Sequence, residues 1–153
     1  MTQQQLVENI KKLDKPGRDK FIKLCETLNL EYGEPENEKL SYDCFIIYKG
    51  KKYLVELKDR DPKYEQYDDL ILEQDKYNRI MNWKNKLGAA GAYYCNWFGN
   101  NAYLWNLDKK CITAKPAKKW MNKITAASRE EKVEKDIFYI NKTDAVKYTL
   151  TNN

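Results

Sequence analysis

The chain has 153 residues, a net charge of +5, a 42% hydrophobic fraction rich in aromatics, and no histidine. That fits one folded domain with a proper core, and it excludes Ser-His-Asp and Cys-His catalysis, His-ligated zinc and imidazole acid–base chemistry. Any chemistry must run on carboxylates, lysines, tyrosines, cysteines or a metal held by oxygen ligands.

The N-terminus, MTQQQLVENIKK, lacks the apolar core of a signal peptide, and no apolar run approaches the roughly 20 residues that span a bilayer. Residues 5–13 read as a short helix ending before Lys15-Pro16-Gly17, and 17–29 as a second, with Phe21, Leu24, Cys25 and Leu28 at helical spacing. The polar run 33–37 reads as a loop. Cys25, Cys44, Cys95 and Cys111 are scattered without a C-x-x-C pair. With no secretion signal, free thiols in a reducing cytoplasm are expected.

Residues 41–59, SYDCFIIYKGKKYLVELKD, read as two strands around a tight turn at Gly50. Phe45 and Ile47 share one face of the first strand; Cys44, Ile46 and Tyr48 share the other. Three charges interrupt this core-like hairpin: Asp43, Glu56 and Lys58. A charge buried there needs a partner or a metal. With the turn near Gly50, Asp43 and Glu56 fall opposite each other, about 5 Å apart at Cβ, and Lys58 shares the face of Glu56. Two hard carboxylates so placed suit Mg²⁺ or Mn²⁺, with the ammonium positioned to act on a water or on developing phosphorane charge.

A long polar connection runs to about residue 69, followed by a helix over about 70–86. Leu70, Leu72, Tyr77, Ile80, Met81, Trp83 and Leu87 form its apolar face. Glu73 and Lys76 fall inside that face and Gln74 at its edge. They read either as an i,i+3 ion pair with a snorkelling lysine or as polar groups aimed at the hairpin pocket. Residues 89–98 and 102–107 read as strands around Gly99-Asn100-Asn101. A short helix is expected near 117–124, a strand at 136–140, and a closing helical turn or strand at 143–150. The order predicts a mixed α/β domain with one central sheet.

From Lys109 to Arg129 there are six lysines (Lys109, Lys110, Lys115, Lys118, Lys119 and Lys123) and no acid, with Trp120 among them. The pattern suits a phosphate backbone and an exposed base, or a solvated helix face.

Asp43 followed by Glu56-Leu57-Lys58, a D-x(12)-E-x-K pattern, resembles the PD-(D/E)XK nuclease superfamily, with Tyr42 where the superfamily name has proline. The runs YDDLILEQDKYNRIMNWK and AYYCNWF…AYLWNL are similar to small phage-encoded nuclease-like proteins. The resemblance implies a restriction-endonuclease-like αβββαβ core over about 17–107, a mixed central sheet flanked by helices, and a basic extension over about 109–153. It further implies metal-dependent DNA hydrolysis with Mg²⁺ or Mn²⁺ on Asp43, Glu56 and the Leu57 carbonyl. Lys58 would be catalytic, Gln74 or Lys76 would complete the site, and Asp19 (ahead of Glu26) would assist the metal. DNA is the expected partner, and a homodimer the expected assembly if the chain self-associates. The rival expectations are a non-catalytic nucleic-acid-binding protein on the same fold and a protein-interaction module.

Overall fold

The computed structural model describes residues 2–37, 39–108, 115–122 and 132–151. Its first element is a single helix, α1 (Gln3–Thr27), opened by a reciprocal cap between Thr2 and Gln5. The expected break at Pro16-Gly17 does not occur: both residues lie inside the helix. The reason is tertiary. Gly17 is buried, and a Cβ there would come within 3.3 Å of Asp59 Cβ. The missing side chain thus lets α1 lie close on the sheet, and that packing outweighs the lost proline hydrogen bond.

Three strands follow: β1 (Glu31–Gly33), β2 (Cys44–Tyr48) and β3 (Lys51–Arg60). The β2–β3 hairpin closes through Lys49 and Gly50, both at positive φ. A short 3₁₀ turn over Pro62–Gln66 leads to β4 (Asp69–Glu73) and then α2 (Gln74–Leu87). The helix expected from residue 70 therefore begins four residues later. Leu70 and Leu72 are buried through the alternation of a strand, because residues 69–73 pair antiparallel with a partner almost seventy positions on. No local period reveals such a partner. Leu87, expected on the apolar face, is exposed.

Strands β5 (Gly91–Phe98), β6 (Asn101–Asn106), β7 (Lys115–Asn122), β8 (Lys132–Asn141) and β9 (Val146–Thr149) complete the order. Residues 115–122 form a strand where a helix was expected, because they pair with β8 throughout; Pro116 is tolerated since β7 lies at a sheet edge. There are two sheets rather than one. The larger runs β1-β2-β3-β5-β6-β9, mixed through the parallel β3–β5 pair, and the smaller runs β4-β8-β7.

β3 is central, and its alternation divides the core. Val55 and Leu57 join Phe21, Leu24, Cys25, Cys44, Cys95 and Trp97 beneath α1. Leu54 faces the other way, with Leu70, Leu72, Ile80, Tyr94, Trp105 and Ile140 beneath α2 and the small sheet. No helix among the described residues is long and apolar enough to cross a membrane.

Fully buried Trp105 fastens the two sheets, donating from Nε1 to the Asn141 carbonyl at 2.8 Å. Trp105→Phe should cost about 1–3 kcal/mol by leaving that carbonyl unpaired. Trp105→Ala should cost about 3–5 kcal/mol. Both should appear as lower urea midpoints.

Cys25, Cys44 and Cys95 are free and buried. Burial, then Glu26, pushes the Cys25 thiol up from 9.0 to about 12. Burial also raises Cys44 and Cys95. Above about pH 9 these thiols ionise only in the unfolded chain, which then binds fewer protons than the native one. Stability is therefore complete below that pH and falls as pH rises above it. Urea unfolding at rising alkaline pH should show the loss, and Cys25→Ala should make it shallower. In the native protein the three thiols should resist alkylation until urea is added.

Candidate functional site

The even-numbered face of β3 carries Glu56, Lys58 and Arg60, next to Leu54 of the core beneath α2. Cys44 pairs with Val55, so one step further along the ladder Asp43 stands across from Glu56. Two hydrogen bonds fix this placement. The Asp43 amide donates to the Val55 carbonyl at 3.2 Å, and Asp43 Oδ2 accepts from the Leu57 amide at 2.6 Å. Asp43, Glu56 and Lys58 are thus brought to one side of the sheet, as their spacing predicts. Leu57 turns its side chain into the core beneath α1.

The start of α2 closes over this row. Lys76 Nζ lies 4.0 Å from Glu56 Oε1 and 3.5 Å from Glu73 Oε2. The two readings of Lys76 therefore hold together: it makes the i,i+3 pair and also faces the hairpin carboxylate. Glu73 is held from its other side by Lys135 of β8, whose Nζ is 2.6 Å from Oε1. Burial pushes the Glu73 carboxyl up, but the Lys135 hydrogen bond and the ammoniums of Lys76, Lys135 and Lys58 hold it below the usual carboxylate range. Burial disfavours the Lys76 ammonium, yet Glu56, Tyr94, Glu73 and Asp43 outweigh it and raise the lysine. At these partly buried positions the carboxylates of Glu56 and Glu73 are balanced by the ammoniums of Lys76 and Lys135. Balance is the condition for keeping such groups out of water.

Gln74 stands at the start of α2. Its Nε2 donates to the Ile137 carbonyl at 3.1 Å, tying α2 to β8. Asp19 is not brought to the centre. It is exposed, 3.9 Å from Lys15 on α1, and α1 covers the opposite face of the sheet. Lys115, Lys118, Lys119 and Trp120 lie on β7, and Trp120 is 65% exposed. Lys109, Lys110, Lys123 and Arg129 lie outside the described residues.

Residues beyond the sequence reading flank the row. Arg60 donates through Nε to Asn96 Oδ1, and through Nη2 to the Ile71 carbonyl at 2.7 Å and to Tyr94 Oη at 3.1 Å. Asn96 sits beside Lys58 across the parallel ladder, fully buried. Lys135 is separated from the hairpin by almost eighty positions, and only the β4–β8 pairing brings it in. Glu73 had left a trace as a charge inside an apolar helical sector; Lys135 had left none.

Among the described residues no three acidic or cysteine side chains are gathered as a ready-made metal cage. The donors present still fit Mg²⁺ or Mn²⁺, because Mg²⁺ commonly binds through one or two carboxylates and keeps several waters. Asp43 and Glu56 supply that pair.

No protein-family model and no curated protein sequence matches this chain. The structure is similar to that of Hjc, a Holliday junction resolvase from the archaeal hyperthermophile Archaeoglobus fulgidus. The TM-score is 0.52 at 14% identity, over 84% of this chain and 93% of that one. At that identity the likeness is one of fold; the element order α1-β1-β2-β3-α2-β5, with β4 inserted before α2, is the αβββαβ order expected from the sequence. The chain has a restriction-endonuclease-like fold.

Proposed function

We propose that the protein is a metal-dependent deoxyribonuclease hydrolysing phosphodiester bonds at the centre formed by Asp43, Glu56 and Lys58. The observation that carries this reading is the gathering of two carboxylates and an ammonium on one face of β3, in the fold of known nucleases. Asp43, Glu56 and the Leu57 carbonyl would hold Mg²⁺ or Mn²⁺, which when bound supplies Lewis-acid polarisation of a phosphate oxygen.

The remaining work falls to the chain. Lys58 orients the attacking water and offsets charge developing on the phosphoryl oxygens. The water oxygen forms the new bond to phosphorus, the bond to the leaving sugar oxygen breaks, and one proton of the water ends on that oxygen. Lys76 stands between Glu56 and Glu73, where Glu73 can retain its ammonium when Glu56 takes another cation. Gln74 keeps α2 against β8 so that Lys76 stays over the row. The lysines of β7, with Trp120, offer phosphate contacts and a stacking surface.

Purified protein with Mg²⁺ or Mn²⁺ should cleave DNA, and EDTA should abolish cleavage. Lys58→Ala and Glu56→Gln should each lower the rate by about 10²–10³-fold while leaving DNA affinity within a few-fold. Wild-type protein that binds DNA tightly yet cuts neither single nor double strands with either metal would make it a non-catalytic binder.

A further inference from the structure

Among the described residues, the β7–β8 pairing continues past the part of β8 that β4 pairs with. β4 pairs with β8 only from Ile137 to Asn141, whereas β7 pairs with β8 from Tyr139 down to Lys132. The rungs from Lys118↔Asp136 to Asn122↔Lys132 therefore form a ribbon with no third strand among the described residues. Its root lies at the candidate centre. Lys135 grips Glu73 at 2.6 Å, and Gln74 holds the Ile137 carbonyl at 3.1 Å. The ribbon is thus tied at its root to Glu73 of the charged row and to Gln74 at the start of α2.

Its surface suits a duplex. Lys118, Lys119, Trp120 and Lys132 are exposed on it, and the described strands carry five lysines (115, 118, 119, 132, 135) against Glu134 and Asp136. Lys118 lies 3.9 Å from Glu134 and Trp120 pairs with Glu134 across the ladder. A surface meant only to follow phosphates would gain nothing from the two acids. In a groove, acids accept from cytosine amino groups while lysines donate to guanine edges. A two-stranded ribbon fits the major groove, about 12 Å wide. The overhanging rungs span about 13–16 Å at ~3.3 Å per residue, or about four base-pair steps.

We propose that this ribbon enters the major groove of double-stranded DNA next to the bond presented to Asp43, Glu56 and Lys58. The substrate is then duplex at that position. This rests on the nuclease reading for the identity of the centre, but its test does not depend on cleavage.

The test measures anisotropy of a short labelled duplex and of its single strand in EDTA, for wild type and for the triple variant Lys118→Ala/Lys119→Ala/Trp120→Ala. All three side chains are exposed, and an unchanged Tm verifies folding. The variant should lose about tenfold or more in duplex affinity, with a salt slope smaller by roughly 2, and lose severalfold less on the single strand. Dimethyl sulfate footprinting of the wild-type complex should protect guanine N7, which lies in the major groove.

Unchanged duplex affinity in the variant overturns the inference. So does equal loss on both substrates without N7 protection. If such a wild type still cuts DNA, the nuclease reading survives alone. N7 protection lost in the variant, from a wild type that never cuts, leaves the ribbon assignment standing and removes the catalysis. Wild type that binds no DNA at low salt overturns both and leaves a protein as the ribbon's partner.

Discussion

Glu73 is held by two ammoniums from two different elements, and that arrangement organises the molecule around the centre. It ends β4, precedes α2, and is gripped by Lys135 of β8 and Lys76 of α2. A buried carboxylate left unpaired would be strongly destabilising, so the small sheet and α2 cannot separate without exposing that cost. Because Lys76 also faces Glu56, the same constraint reaches the large sheet. The charged row is therefore built into the packing of the fold.

The strand at the middle makes this possible. Each residue of β3 faces either α1 or α2, so consecutive positions serve opposite purposes. Val55, Leu57 and Asp59 anchor α1, the last through Lys20 at 2.8 Å, while Glu56, Lys58 and Arg60 stand on the other face. Parallel pairing with β5 places Tyr94 and Asn96 beside Glu56 and Lys58. Arg60, bound to Asn96, Tyr94 and the Ile71 carbonyl, closes the row where β4 crosses it.

The hairpin was legible in the sequence because its information is local. Period-two apolar alternation, a glycine turn and three charges out of pattern gave the strands, the register and the placement of Asp43, Glu56 and Lys58. What could not be read depended on distant partners. Residues 69–73 show apolar spacing compatible with helix or strand, and only pairing with β8 decides for strand. The same pairing turns 115–122 from an expected helix into a ribbon edge. Pro16-Gly17 looked like a stop, yet the glycine is a contact point between helix and sheet. Asp19 was a reasonable acid on the right helix, but that helix covers the other face. Lys135 had no sequence signal at all, since its importance lies in what it reaches.

Binding of a divalent cation by Asp43 and Glu56 beside Lys58 is the core of the proposed function. The most direct measurement is a crystal structure of the protein soaked in Mn²⁺, read by anomalous scattering. A single strong peak between the two carboxylates, with Lys76 drawn off Glu56 toward Glu73, is the predicted result. A well-ordered centre with no anomalous peak and the Lys76–Glu56 contact intact at saturating Mn²⁺ would contradict it.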